Sequence, residues 1–139
     1  MRTLTCSRMK LVVERILASH GLLEEFQQNP EFAVRIQNEP YLPLTIERHD
    51  SEITVTHYFK QNGDLIPDPD MAFELLNDGS WYPVAIQFAT GHYRRAMEIR
   101  DGKRFVSPRE VRDQICFSSM WAKNLEAQCF TTGTAERIV

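Results

Sequence analysis

The chain has 139 residues, 42% hydrophobic and 10% aromatic, which is enough for one domain, 1–139, with its own core. Charged residues make up 25% and the formal net charge is -3, which excludes a wholly basic nucleic-acid coat and a disordered acidic chain. No apolar run reaches the roughly 18 residues of a membrane span, and Met1 to Met9 lacks the apolar stretch of a secretory signal, so a cytoplasmic protein is expected.

In chain order, the first expected element is a helix from about Arg8 to His20. Met9, Val12, Val13, Ile16 and His20 recur at three- and four-residue steps. Ser7 is placed to cap it and Gly21 to end it. Leu22, Leu23 and Phe26 suggest one more turn before Asn29-Pro30. Glu31 to Asn38 fits a strand or a helix equally.

The period then changes to two. Leu44 to Glu47 and Ile53 to Phe59 read as strands joined at Asp50-Ser51. Asn62-Gly63 is a hairpin signal, because type I′ geometry wants positive φ at both positions. Met71 to Leu76 and Trp81 to Phe88 flank a second turn at residues 77–80. Tyr93 to Arg100 and Lys103 to Val106 flank a third at Asp101-Gly102. In Ser107-Pro108-Arg109-Glu110 a capping box carries Pro at the first helical position, with Val106 and Val111 at the staple positions. The helix it opens places Val111, Ile115, Ser118, Ala122, Leu125 and Cys129 in one stripe, with Phe117 and Trp121 beside it. Beyond Gly133, residues 134–139 read as a frayed tail. The expected fold is α+β: an antiparallel meander of about four to six strands flanked by an N-terminal and a C-terminal helix.

Charge is distributed unevenly. Glu47 to Asp78 holds eight acidic and two basic residues, a local net of -6, and Arg94 to Arg112 holds seven basic and three acidic, a local net of +4. Two surfaces follow as candidates for interaction. One is acidic, with Asp64, Asp68, Asp70, Glu74 and Asp78; the other is a basic hairpin with Arg94, Arg95, Arg100, Lys103 and Arg104. The basic set can meet phosphate, an acidic protein surface, or only water. Tyr93 and Phe105 give it thin aromatic interleaving.

No constellation names a reaction. The acidic run Asp64 to Asp70 lacks EF-hand spacing and reads as a stiff Asp-Pro loop. Asp70 with Glu98-Ile99-Arg100 only approximates a metal-nuclease pattern, since Arg stands where a Lys base is needed. His20, His49, His57 and His92 form no ligand pair, and His57 on the face of Ile53 and Val55 reads as a core histidine. Cys6, Cys116 and Cys129 are widely spaced, without a CxxC pair, and read as small apolar residues on or near helices. Trp81, Tyr82 and Trp121 suit the core better than a ligand pocket. No catalytic residue, metal or cofactor is expected.

Two stretches carry a resemblance. His57-Tyr58-Phe59-Lys60-Gln61-Asn62-Gly63-Asp64-Leu65-Ile66-Pro67-Asp68-Pro69-Asp70-Met71 and Trp121-Ala122-Lys123-Asn124-Leu125-Glu126-Ala127-Gln128-Cys129-Phe130 resemble an uncharacterised family of small bacterial proteins carried on plasmids, prophages and integrative elements. That family reads HYxxQNGDLxxDPxM and WAKNLxAQGF; Cys129 stands where the pattern has Gly. The resemblance covers about Tyr41 to Phe130, with Trp81-Tyr82-Pro83 as a shared strand start. It implies a cytoplasmic accessory protein of a mobile element and supplies no catalytic residues. Its Trp121, Asn124, Leu125 and Gln128 share one side of the last helix, where Asn and Gln could bond a sheet edge or a loop. Three functions stay open: an inhibitor of a host protein or ribonucleoprotein complex, most concretely an anti-CRISPR protein; a nucleic-acid-binding accessory; and a metal-dependent nuclease.

Overall fold

The computed structural model describes residues 4–138. Helix α1 (Ser7–Ser19) and the short α2 (Leu23–Gln28) lead into β1 (Glu31–Gln37), β2 (Leu44–His49), β3 (Glu52–Gln61), β4 (Asp64–Leu75) and β5 (Trp81–Gln87). Then come β6 (Tyr93–Arg95), β7 (Met97–Arg100), β8 (Lys103–Val106), α3 (Pro108–Ala127) and β9 (Thr134–Arg137). Seven strands form one antiparallel sheet in the order β6-β5-β4-β3-β2-β1-β9, and β7 pairs with β8 apart from it. The α+β class and both flanking helices agree with the sequence reading, with more strands than it anticipates.

The meander follows from its turns. Asn62 and Gly63 take φ of 52° and 85°, and Asp101 and Gly102 take 52° and 74°, the left-handed values a tight hairpin needs. Glu31–Gln37 resolves as a strand, pairing Ile36 with Leu44 and Val34 with Ile46. Ile53, Val55, Met71 and Phe73 alternate onto one face of the sheet, opposite one another in register. All three helices cover that face, and Met9, Val13, Ile16, Phe26, Trp81, Trp121 and Leu125 join these strand residues in one core.

Helix α3 crosses the sheet. It starts beside β6, where Gln114 donates to the Arg94 carbonyl at 3.0 Å, and ends beside β1, where Asn38 donates to the Gln128 carbonyl at 2.7 Å. Twenty residues at about 1.5 Å each give about 30 Å, enough to cross the six strands from β6 to β1, about 24 Å at about 4.8 Å apart. An ion pair of 3.1 Å between Arg15 and Glu126 joins α1 to α3.

Several local expectations change. Ser7 lies inside α1; the N-cap is Cys6, without a side-chain cap bond, and the Cys6 N–H is taken by the Trp81 carbonyl at 2.8 Å. Ser107 does cap α3, accepting from the Glu110 N–H at 3.5 Å, but its own N–H goes to the Ala96 carbonyl, so the box is one-sided. The stripe on α3 buries Gln114 and Trp121 rather than Ile115, and α3 ends at Ala127, leaving Cys129 exposed beyond it. Cys116 is exposed too, so only Cys6 behaves as an apolar core residue. Asp64 to Asp70 is part of β4 rather than a loop, with a bulge opposite Thr56–Tyr58 that absorbs the Asp-Pro step. Thr134–Arg137 is not frayed: it pairs with β1, the edge strand whose backbone groups would otherwise lack partners. Val139 lies outside the described residues.

Candidate interaction surface

The basic segment divides at Ala96. Its N–H bonds the Val84 carbonyl at 2.7 Å, so β6 stays on the main sheet, while its own carbonyl holds Ser107 at 2.9 Å. Between those two anchors the chain makes the β7–β8 hairpin, pairing Met97 with Val106 and Arg100 with Lys103. An isolated two-stranded hairpin is marginal in water. Here the buried Met97 anchors its base, and Arg104 reaches Glu74 of β4 at 2.8 Å. Gln114, buried on α3, fixes the adjoining β6 through the Arg94 carbonyl.

The hairpin exposes apolar area beside its cations. Ile99 is 61% exposed, Val106 46% and Phe105 42%, and Tyr93 of β6 is 51% exposed. The Arg100 guanidinium lies 4.2 Å from the Phe105 ring centre, and Arg95 lies 5.4 Å from that of Tyr93, both in cation–π range. Arginine and aromatic residues on an exposed apolar patch are the composition of a protein interface. Trp81 and Trp121 are buried in the core, which leaves this surface and the charged faces as candidates.

The cations are partly engaged. Arg94 pairs with Glu110 at 3.9 Å, Arg95 donates to the Tyr93 hydroxyl at 3.0 Å, and Arg100 pairs with Glu98 at 3.0 Å. Lys103, at the hairpin tip, is exposed.

The acidic residues are strung along β4 and the turn after it. Asp64 to Glu74 spans about 30 Å at about 3.3 Å per residue. Asp64 is exposed at one end. Asp68 accepts from the Ala89 N–H at 3.2 Å. Asp70 is half-buried and accepts from the Thr56 hydroxyl at 2.9 Å; burial raises its pKa, and that bond opposes the rise. Glu74 is held by Arg104. Asp78 accepts from the Ser80 N–H and hydroxyl, and these bonds lower its pKa. The two charged sets therefore meet through Glu74 and Arg104. Asp70 and Glu98 lie on separate sheets, each with its own partner.

Other chemistry is sparse. His57 is buried, donates from Nδ1 to the Pro43 carbonyl at 3.1 Å, and packs its ring against Trp121 and Phe130. Burial lowers its pKa, as suits a core histidine. Burial also pushes the Cys6 thiol up to about 11, which leaves it unreactive near neutral pH. Among the described residues, Glu31, His49 and Asp50 are the one trio with donor atoms within 4.8 Å of one another. All three are exposed, and the His49–Glu31 pair at 2.8 Å accounts for their proximity; that bond raises the His49 pKa. At the end of α3, Asn124 is exposed and Gln128 contributes its carbonyl, not its side chain, to Asn38.

A family model described as a domain of unknown function (DUF6908) matches residues 10–131. No curated protein and no solved structure matches the chain.

Proposed function

We propose that this chain, which belongs to the DUF6908 family, works as a binding protein that inhibits a host complex, with the β7–β8 hairpin as its docking element. The observation that carries this reading is the hairpin itself. It stands outside the main sheet and presents Ile99, Phe105 and Val106 among Arg100, Lys103 and Arg104. Such a surface costs solubility unless something covers it. The mobile-element resemblance supports a partner among host defence complexes, and an anti-CRISPR protein is the concrete version. Binding to such a complex needs no active site.

The test is a pull-down of the tagged protein from a nuclease-treated bacterial lysate, repeated with Phe105→Ala and Ile99→Asp. The native protein is expected to retain one stoichiometric defence complex. Phe105→Ala should weaken its capture about tenfold, the effect of losing about 1.4 kcal/mol at a buried anchor. Failure of the native protein to retain any such complex, or full retention by both variants, overturns the reading.

A second reading rests on the two arginine–aromatic pairs, which also suit stacking on single-stranded nucleic acid. Its signature is binding to a single-stranded oligonucleotide that falls steeply with salt and is lost with Arg100→Gln.

A further inference from the structure

The face of the sheet away from the helices holds a cavity of about 410 Å³ where β1, β2 and β3 run side by side. Its floor is Arg35, Thr45 and Tyr58, which sit on three adjacent strands. Leu42, from the segment between β1 and β2, and Leu65, at the start of β4, are both exposed and form apolar walls. Lys60 stands at the rim.

Three observations show that this cavity is built rather than incidental. First, no described side chain forms an ion pair with Arg35 or Lys60. Arg35 is half-buried, and its fork of guanidinium donors is left with no carboxylate partner. Glu136 is opposite it across β1 and β9, yet they form no ion pair within 4.0 Å. Second, Thr45 is 3% exposed and its hydroxyl, shut off from solvent, has no hydrogen-bond partner. Hydroxyls so buried are nearly always bonded. Third, a cation and a hydroxyl on the floor and a second cation at the rim, with leucines on the walls, give the cavity polar and apolar parts.

We propose that this cavity binds a small amphiphilic anion, with its carboxylate or phosphate group between Arg35 and Lys60 and its apolar body between Leu42 and Leu65. Arg35 supplies a planar pair of donors that matches either oxyanion. The Thr45 hydroxyl turns to donate to the same group or to a water it carries. Carboxylate and phosphate compounds share this chemistry, and the experiment separates them. The site lies on strands other than the hairpin and stands whether or not the hairpin docks on a partner.

The test uses the full chain and the dye anilinonaphthalenesulfonate, an aromatic anion, followed by fluorescence. Saturable binding to one site is expected. Arg35→Gln should weaken it at least tenfold, and Lys60→Gln, at an exposed position that leaves folding intact, several-fold. Thr45→Val should weaken it several-fold with no loss of thermal stability. The uncharged dye phenylnaphthylamine should bind at least tenfold more weakly than the sulfonate. Displacement by benzoate but not phenyl phosphate assigns a carboxylate ligand, and the reverse assigns a phosphate ester. Absence of saturable binding overturns the proposal. So does binding unchanged by both Arg35→Gln and Lys60→Gln, or equal binding of the two dyes.

Discussion

Cys129 takes a φ of 57° immediately after the C-cap of α3, the left-handed position where glycine ends a helix with least strain. A Cβ in this region is unfavourable. Cys129 is exposed, so little packing is lost by replacing it. Cys129→Gly is therefore expected to stabilise the fold by about 0.5–1 kcal/mol, seen as a rise of about 2–4 °C in thermal unfolding. An unchanged or lower midpoint would contradict it.

The buried imidazole of His57 gives the stability a pH dependence. Its folded pKa lies below the ordinary 6.5, chiefly through burial, against the Pro43 carbonyl. Between 6.5 and the lowered value the unfolded chain binds the proton and the folded chain does not. The His57 contribution is thus complete above pH 6.5 and is lost as pH falls through the folded value. His49 acts in the opposite sense: its raised pKa gives a contribution present below 6.5 and lost as pH rises, but it is fully exposed. Comparing urea midpoints of the native chain and His57→Gln between pH 7 and pH 5 isolates the first effect. The variant should show the shallower decline towards acid, and parallel curves would refute the assignment. Asp70 acts at lower pH with the other sign, since its raised pKa favours the folded state below 3.8. Gln114 shows what side-chain type conceals. A polar residue in the buried stripe reads as a break in the pattern, yet its amide meets the Arg94 carbonyl and positions the basic segment.

At the scale of elements, β9 depends on one residue. Gly133 has a φ of 88°, and a Cβ there would collide with the carbonyl oxygen of Gln37 on β1. The strand beyond it pairs Ala135 with Ile36, and Arg137 pairs with Glu25 of α2. Gly133→Ala is expected to destabilise the chain by more than about 1 kcal/mol, since both the backbone angle and the space forbid the methyl group. Hydrogen exchange should locate the damage, with faster exchange in β9 and at the β1 edge while β3 and β4 stay protected. Uniform loss of protection across the sheet would show instead that β9 is not a separable edge. The short strand escapes notice in the sequence because its partner lies about a hundred residues earlier, and because Thr-Ala-Glu-Arg carries no alternating apolar pattern.

Across the whole molecule, the elements whose causes are local are legible from the residues alone. Turn pairs such as Asn62-Gly63 and Asp101-Gly102 close hairpins between neighbouring strands at little entropic cost, so the meander was legible from spacing alone. The same holds for α3, whose Ser107 cap and Pro108 start lie within its first turn. Features that depend on distant groups emerge only once the chain is folded. The acidic and basic sets both exist in the sequence, but the Glu74–Arg104 pair, which joins them, requires β4 and β8 to meet. The break at Ala96 turns one expected long strand into β6 on the main sheet and β7 in a separate hairpin. The cavity over Arg35, Thr45 and Tyr58 exists because the three helices cover the opposite face of the sheet. Periodicity marks which residues share a face, but which face is covered is settled by packing over the whole chain.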